Sequence, residues 1–253
     1  MKAIKNIQGN FLYLLVVLTT LLLSCEKEKA PNDKGFSEEI KNFVPDSTMQ
    51  KMKDLGMVIH EGKVPPKLEG IFIASPLIMR STSVPEDGYS PGHKFIDYYY
   101  KFYNQDNKKL AISLNTQGVN SKGEAITTST GNGAFISGNK NNFTIFVVLD
   151  EKAPVNENDT AFSQSLEVIS GTISPEGIVN FHSALWMLDT YGDPYEMYIP
   201  VNTGRVFYDS DSLASRTYSM KMKSSNGMFE NSNKSLLFKG QRPNKTSIKI
   251  INH

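Results

Sequence analysis

Cysteine is almost absent from this sequence, since Cys25 is the only one among 253 residues. One cysteine cannot make an intrachain disulfide, a Cys-x-x-Cys redox pair or a cysteine-rich zinc site. An excess of charge of one sign is also lacking, because 27 Lys and Arg residues stand against 26 Asp and Glu residues. Without a basic excess the chain offers no extended surface for binding a phosphate backbone, so we expect no nucleic-acid partner.

The common catalytic motifs are lacking as well. The sequence has no Gly-x-Ser-x-Gly elbow, no phosphate-binding P-loop and no His-Glu-x-x-His zinc motif. Its four histidines show no metal-ligand spacing and are His60, His93, His182 and His253. Asp209-Ser210-Asp211-Ser212 offers alternating oxygens but lacks the glycine and glutamate of an EF-hand loop. We predict no catalytic residue, no metal and no cofactor.

A hydrolase remains an open alternative. Two carboxylates on different strands can form a catalytic pair that spacing along the chain does not reveal. The acidic residues that could take part are Asp97, Glu124, Asp150, Glu167 and Asp189, and none of them stands out. The sequence therefore favours a protein that is not an enzyme without deciding the question.

The first 25 residues predict export and lipid attachment. After Lys2 and Lys5, the apolar run Phe11–Leu23 has the length of a signal-peptide core rather than of a membrane-spanning helix. The run leads into Leu22-Leu23-Ser24-Cys25, which resembles the bacterial lipobox, where the cysteine is diacylated and becomes the N-terminus. We predict a signal peptide over 1–24 and lipidation of Cys25; the alternative is a retained signal anchor with an incidental cysteine.

The residues from Cys25 to Phe36 predict a tether. Their charged composition, with Pro31 and Gly35, is typical of a solvated, flexible segment. Two or three acyl chains on one cysteine attach a protein stably to a bilayer. We therefore expect a membrane partner through the lipid anchor and a location in the cell envelope, at the outer membrane, with the periplasmic or surface side left open.

Two short helices are predicted before the body of the chain. One covers Ser37–Phe43, and the other covers Ser47–Leu55 with Asp46 as its N-cap and Gly56 as its stop. Pro65-Pro66 then ends regular structure. We see no internal repeat or linker beyond this point, so 37–253 is predicted to be a single domain.

The remainder alternates in the manner of strands. Leu110, Ile112 and Leu114 are separated by small or polar residues, as in a half-buried strand. Strands are predicted over 70–80, 94–103, 110–117, 124–130, 133–137, 142–150, 164–174, 177–189, 195–201, 204–208, 216–223, 234–239 and 246–251. Many short strands without crossover helices predict an all-β antiparallel barrel, with a β-sandwich as the alternative.

The chain resembles the Bacteroidota lipoproteins of unknown function that carry a lipocalin-like (calycin-like) β-barrel. The resemblance rests on the lipobox-like Leu22–Cys25, Leu55-Gly56-Met57, Pro65–Phe72, Phe135–Gly138 and Ile169–Ile173. Phe72 stands where lipocalins usually carry tryptophan. The resemblance implies a barrel but no particular ligand.

Aromatic residues supply the remaining candidates for binding. Tyr and Trp combine a flat apolar body with a polar handle, which suits amphipathic ligands and sugars. The predicted ligand-binding residues are Tyr98, Tyr100, His182 and Trp186. The competing interpretation is that these side chains only form cross-strand pairs.

Three functions remain open besides a hydrolase. The first is a binding protein that holds an apolar or amphipathic small molecule inside the barrel. The second is a glycan-binding surface lipoprotein with Tyr99, Tyr103 and Trp186 as exposed stacking platforms. The third is an envelope structural partner without a ligand, whose barrel is filled by its own side chains.

Glycosylation is a separate hypothesis. Exported proteins of that phylum are often O-glycosylated at Asp-Ser/Thr followed by a small, aliphatic or Met residue. The sites of this kind are Asp46-Ser47-Thr48, Asp159-Thr160-Ala161 and Asp211-Ser212-Leu213. We predict modification at Thr160 and Ser212 first, against the alternative that all three are ordinary turns or caps.

Overall fold

The structure is a computed structural model that describes residues 34–220. The signal peptide predicted over 1–24, Cys25 and nearly all of the tether lie outside the described residues. The strands predicted at 234–239 and 246–251 lie outside them too. Within 34–220, no helix combines the length and the apolar character needed to cross a bilayer.

Two short helices open the described chain, α1 (Glu38–Phe43) and α2 (Asp46–Asp54). The Ser37 hydroxyl caps α1 by accepting a hydrogen bond from the backbone N–H of Ile40 at 3.4 Å. Both predicted helices are confirmed, but the predicted N-cap of α2 is wrong by one residue. Pro45 occupies the cap position, where its carbonyl accepts hydrogen bonds from the backbone N–H groups of Thr48 and Met49, and Asp46 is the first helical residue.

Eleven strands follow within the described residues. Their bounds are β1 (Lys63–Val64), β2 (Gly70–Ala74), β3 (Leu77–Thr82), β4 (Asp97–Asp106), β5 (Ala111–Val119), β6 (Ala125–Asn139), β7 (Asn142–Pro154), β8 (Thr160–Ile173), β9 (Gly177–Asp189), β10 (Gly204–Asp209) and β11 (Leu213–Thr217). Alternating burial, clearest along β5, gives most strands one inward and one outward face.

Eight of these strands form a closed antiparallel ring. The hydrogen-bonded order is β2, β4, β5, β6, β7, β8, β9 and β11, and β11 returns to β2. Strand β9 pairs with β11 over Gly177–Val179 and with β10 over His182–Trp186, and β10 carries β3 on its other edge. The predicted all-β antiparallel fold behind short helices is confirmed, and ring closure favours the barrel over the sandwich.

Three details of the predicted strands are wrong. The stretch 70–80 divides into β2 and β3 around Ser75-Pro76. The stretches 124–130 and 133–137, predicted as two strands, belong to one strand, β6, which continues through Gly131-Asn132-Gly133 with a register shift between Asn132 and Phe135. Residues 195–201 lie in the β9–β10 loop, where the Asp193 carboxylate accepts hydrogen bonds from backbone N–H groups.

The core has an inner and an outer part. Inside the ring, the Tyr100 and Phe102 rings stack with centroids 6.4 Å apart, and Phe181 lies 5.2 Å from Tyr100. Outside it, α1 and α2 cover one face of β7 to β10, where Ile40 and Met52 join Val168, Trp186 and their neighbours. The centre of the barrel is therefore packed by the protein's own aromatic rings.

Candidate ligand-binding site

Two glutamates lie among the inward residues of neighbouring strands. On β7, Glu151 falls between the core residues Leu149 and Ala153, and on β8 Glu167 precedes the core residue Ile169 by two positions. Glu151 is only 6% exposed and Glu167 only 5%. None of the ion pairs formed within residues 34–220 includes either carboxyl. Two buried acids thus share one interior without a cationic partner in the described chain.

Strand β6 supplies the partners of Glu151. The hydroxyls of Thr127 and Ser129 each donate a hydrogen bond to its carboxyl. Burial raises the pKa of Glu151 to about 7, and the two hydroxyl bonds only partly oppose that rise. The carboxyl therefore titrates near neutral pH.

Glu167 lies beside the stacked aromatic rings. The Tyr100 hydroxyl donates to its Oε1 at 3.5 Å. Burial raises the pKa of Glu167 to about 8, and the charge of Glu151 adds to the rise. Burial also raises the pKa of Tyr100 well above its ordinary value, with Glu167 contributing. We call Glu151, Glu167, Thr127, Ser129 and Tyr100 the carboxyl cluster.

The β9–β10 loop closes over this end of the barrel. The Asp193 carboxylate accepts hydrogen bonds from the backbone N–H groups of Met197, at 2.7 Å, and Tyr198, at 3.2 Å. These bonds hold the Tyr198 side chain in the core. Burial there raises the pKa of its phenol, and the charge of Glu151 adds to the rise. A hydrogen bond with Ser163 opposes it. The loop places a third oxygen-bearing side chain near the carboxyl cluster.

Two cavities adjoin the carboxyl cluster. One has a volume of about 460 Å³ and is lined by, among others, Ile126, Thr127, Lys152, Pro154 and Thr160. The other has a volume of about 360 Å³ and is lined by Asp150, Glu151, Lys152, Phe162, Ser163 and Tyr191. Volumes of about 300–1,000 Å³ are typical of small-molecule sites. Since Lys152 lines both cavities, one ligand could occupy the pair, with apolar walls and a few polar groups.

The predicted ligand-binding residues do not share one site. Tyr98 and Tyr100 lie in the barrel core, whereas His182 and Trp186 lie on the outward face of β9. Tyr98 lies close to the carboxyl cluster, because Gly118 packs against both Tyr98 and Thr127. A Cβ at Gly118 would be 3.0 Å from the Tyr98 ring and would also contact Thr127. The structure therefore brings the two tyrosines together and separates them from the histidine and the tryptophan.

The predicted surface stacking platforms are wrong for two of the three residues. Trp186 is 3% exposed because α2 covers it, with Lys51 Nζ 5.4 Å from its ring centre. Tyr99 is 5% exposed. Tyr103 is half-buried and donates from its hydroxyl to Asn115 at 3.3 Å. The glycan-binding hypothesis thus loses the exposed rings on which it depended.

The two predicted glycosylation residues are exposed. Thr160 is the first residue of β8 and lines the larger cavity, and Ser212 lies in the β10–β11 turn with φ 65°. Both hydroxyl-bearing side chains are accessible, so glycosylation stays a prediction at both positions.

Sequence reasoning overlooked Glu151, although a signal was present. Along β7 the apolar residues Ile145, Val147, Leu149 and Ala153 alternate with outward positions, and Glu151 takes an apolar place in that series. A charged residue in register with core residues indicates a buried carboxyl. The partners of Glu151, Thr127 and Ser129, come from another strand and leave no such signal.

No group of three metal-ligating side chains comes together within the part of the chain that the structure describes. Comparisons of the chain with protein-family models, with curated proteins and with solved structures find no match. The candidate site is therefore argued from its own geometry.

Proposed function

We propose that this chain is a lipid-anchored binding protein of the bacterial cell envelope, whose barrel holds a small amphipathic ligand beside Glu151. The observation that carries the proposal is a buried, uncompensated carboxyl at the wall of an open cavity. Burying a carboxylate without a counter-charge is costly, and a bound cation would remove much of that cost.

The chemistry of the two cavities favours a particular kind of ligand. Ile126, Pro154 and Phe162 offer apolar surface, whereas Glu151 offers a hydrogen-bond acceptor. Because two acids, Asp150 and Glu151, line the smaller cavity against one cation, Lys152, a protonated amine fits its polar end better than a carboxylate does. The proposed ligand has an apolar body and a cationic head, and it lies at the end of the barrel rather than in its aromatic centre.

Binding of three probes with the same chain length tests this proposal. Native mass spectrometry of the full-length protein with n-octylamine, octanol and octanoate should give a stoichiometric adduct with the amine alone. Glu151→Gln should weaken amine binding about tenfold or more, because the cation loses its carboxylate partner. The matched control is Glu157→Gln, which changes an exposed glutamate in the β7–β8 loop.

The possible results distinguish the contribution of the ligand's cationic head group to binding from that of its apolar body. Equal binding of amine and octanol, unchanged by Glu151→Gln, would remove the cationic head group from the proposal. Absence of any adduct would favour the third function, an envelope partner without a small ligand. The aromatic packing of the barrel centre by Tyr100, Phe102 and Phe181 supports this alternative, an envelope partner without a small ligand.

The anchor part of the proposal depends on the leader and on Cys25. An intact mass of the membrane-extracted native protein should match a chain that begins at Cys25 and carries two or three acyl groups. Cys25→Ser should release the protein from the membrane fraction. A native mass that includes residues 1–24 without acyl groups would contradict the anchor and leave the ligand site unaffected.

A further inference from the structure

A second cluster of polar side chains lies on the outer face of the barrel, away from the carboxyl cluster. It contains Arg80 of β3, His182 of β9 and His60 from the segment that follows α2. Strand β10 lies between β3 and β9 and brings Arg80 close to His182. Its residue Tyr208 is opposite His182 on one side and opposite Ile78, two residues before Arg80, on the other. Arg80 Nη1 lies 3.4 Å from His182 Nε2. His60 is held nearby by its backbone N–H, which donates to Thr144 Oγ1 at 2.7 Å.

The hydrogen bond between His182 and Asn180 selects the tautomer of the neutral ring. Its Nδ1 lies 2.9 Å from the carbonyl oxygen of Asn180, and since a carbonyl only accepts, Nδ1 carries the proton. The other nitrogen, Nε2, can then accept from Arg80 only while the ring is neutral. Burial and the charge of Arg80 lower the pKa of His182 despite the opposing hydrogen bond to Asn180. Burial and the charge of His182 lower the pKa of His60 as well.

Arg80 is consequently a cation without a carboxylate partner among residues 34–220. None of the ion pairs there includes it, and the acid nearest in sequence to His60, Glu61, pairs with Lys53 at 3.9 Å. Arginine presents five donors, and one faces His182. The exposed Arg80 side chain lies against Gly56, where a Cβ would be 2.7 Å from Arg80 Nε.

A buried hydroxyl completes the cluster. Ser170 of β8 lies between two neighbouring strands. It is directly opposite His182 of β9 on one side and opposite Thr144 of β7 on the other, so the three side chains share one face of the sheet. Ser170 is fully buried, and its Oγ has no hydrogen-bond partner within the described residues. Buried polar groups in native proteins are normally satisfied, so the Ser170 hydroxyl, opposite His182, has an unmet need for a hydrogen-bond partner.

We propose that Arg80, His182 and His60 form a binding site for a phosphate group. A guanidinium binds phosphate through parallel hydrogen bonds, and two imidazoles beside it can supply further donors once an anion offsets their repulsion. The phosphate belongs to a small phosphate ester or to a phospholipid head group. The site is independent of the proposed amine site, since it lies on the opposite face of the barrel wall.

Histidine NMR tests the site in the full-length protein in non-ionic detergent. With ¹⁵N-labelled histidines at constant ionic strength, inorganic phosphate should shift the ring signals of His60 and His182 saturably. The signals of His93, which belongs to a separate aromatic cluster, should stay unchanged and report an intact fold. Arg80→Gln should weaken phosphate binding about tenfold. Arg216→Gln, at an exposed arginine of β11, is the matched control and should bind as the native protein does.

Two further arms distinguish the source of the phosphate and guard against misfolding. Tighter binding of dihexanoyl phosphatidate than of glycerol phosphate would identify a lipid head group, whereas the reverse order would identify a small soluble ester. Arg80→Lys, which keeps the charge, should retain part of the affinity with unchanged His93 signals. Linear, non-saturating shifts, or saturable shifts that survive Arg80→Gln, would overturn the proposal.

Discussion

At the scale of individual residues, Glu151 and Glu167 each carry a carboxyl into the barrel interior. Hydroxyls of Thr127, Ser129 and Tyr100 bond to them, but no cation within residues 34–220 does. Burial therefore decides their behaviour, and it raises the pKa of both to about 7 and about 8. These are the values from which the pH dependence of stability follows.

The contribution of Glu151 and Glu167 to the free energy of unfolding should fall as the pH rises from about 4.5 to about 8. Both folded-state pKa values lie above 4.5, the ordinary value, so at these two sites the folded state binds more protons than the unfolded chain in this range. The stabilisation is complete below about pH 4.5, is lost as the pH rises and levels off above about pH 8. Glu151 alone contributes on the order of 3 kcal/mol to this change.

Glu151→Gln should therefore flatten the pH profile of stability. Urea unfolding near pH 5 and near pH 8 measures the difference, which should shrink by about 2 kcal/mol or more in the variant. Glu157→Gln, at an exposed position, should keep the native profile. A native profile in Glu151→Gln would show that this carboxyl is not the group that titrates.

At the scale of the elements, β5 and β6 together shape the polar end of the barrel. Gly118 of β5 lies where a Cβ would be 2.6 Å from Thr127 Cγ2, 2.8 Å from Ile96 Cδ1 and 3.0 Å from the Tyr98 ring. Because Gly118 has no side chain, the side chains of Thr127, Ile96 and Tyr98 can pack against β5 at this position. Thr127, which donates a hydrogen bond to Glu151, lies directly against Gly118.

Gly118→Ala should destabilise the protein by about 1–3 kcal/mol, since the added methyl overfills the core. It should also weaken octylamine binding, because Thr127 must move away from Glu151. Urea unfolding and native mass spectrometry measure the two effects. Ser113→Ala, on β5 and facing away from Gly118, should change stability by less than about 0.5 kcal/mol. Equal effects of the two substitutions would contradict the close packing at Gly118.

At the scale of the whole molecule, one buried ion pair joins segments far apart in sequence. Arg205 of β10 contacts Asp87 of the β3–β4 loop with Nη2 to Oδ1 at 2.6 Å and Nε to Oδ2 at 2.8 Å. The guanidinium also lies 5.0 Å from the Tyr89 ring centre. Burial would raise the pKa of Asp87, but the hydrogen bonds and charge of Arg205 outweigh it and lower the pKa. The loop is thereby fixed to the strand that extends the barrel wall.

Asp87→Asn should cost about 3–5 kcal/mol of stability, because it leaves the guanidinium of Arg205 buried without its counter-charge. Glu38→Gln breaks the exposed pair with Lys41 and should cost less than about 1 kcal/mol. Chemical denaturation of both variants at neutral pH provides the comparison. If Asp87→Asn costs no more than Glu38→Gln, the buried pair does not hold the loop.

The sequence by itself determined the strand content and the two helices. Alternation along β5 and β9, and the turn residues between strands, are local signals that follow from the pleat of a strand. The continuity of β6 through Gly131-Asn132-Gly133 and the irregular 195–201 loop were mispredicted, because a register shift and a side-chain-bonded loop depend on partners elsewhere in the chain.

Only the tertiary structure decided the closure of the ring and the contents of both candidate sites. β11 pairs with β2 and β9 across long separations in sequence, and no local pattern encodes that pairing. Trp186 is outward-facing yet buried, because α2 packs over it. Burial raises the pKa of Glu151, and the hydroxyls of Thr127 and Ser129 from another strand oppose the rise. Such properties arise from the environment of a side chain, which exists only once distant segments are packed together.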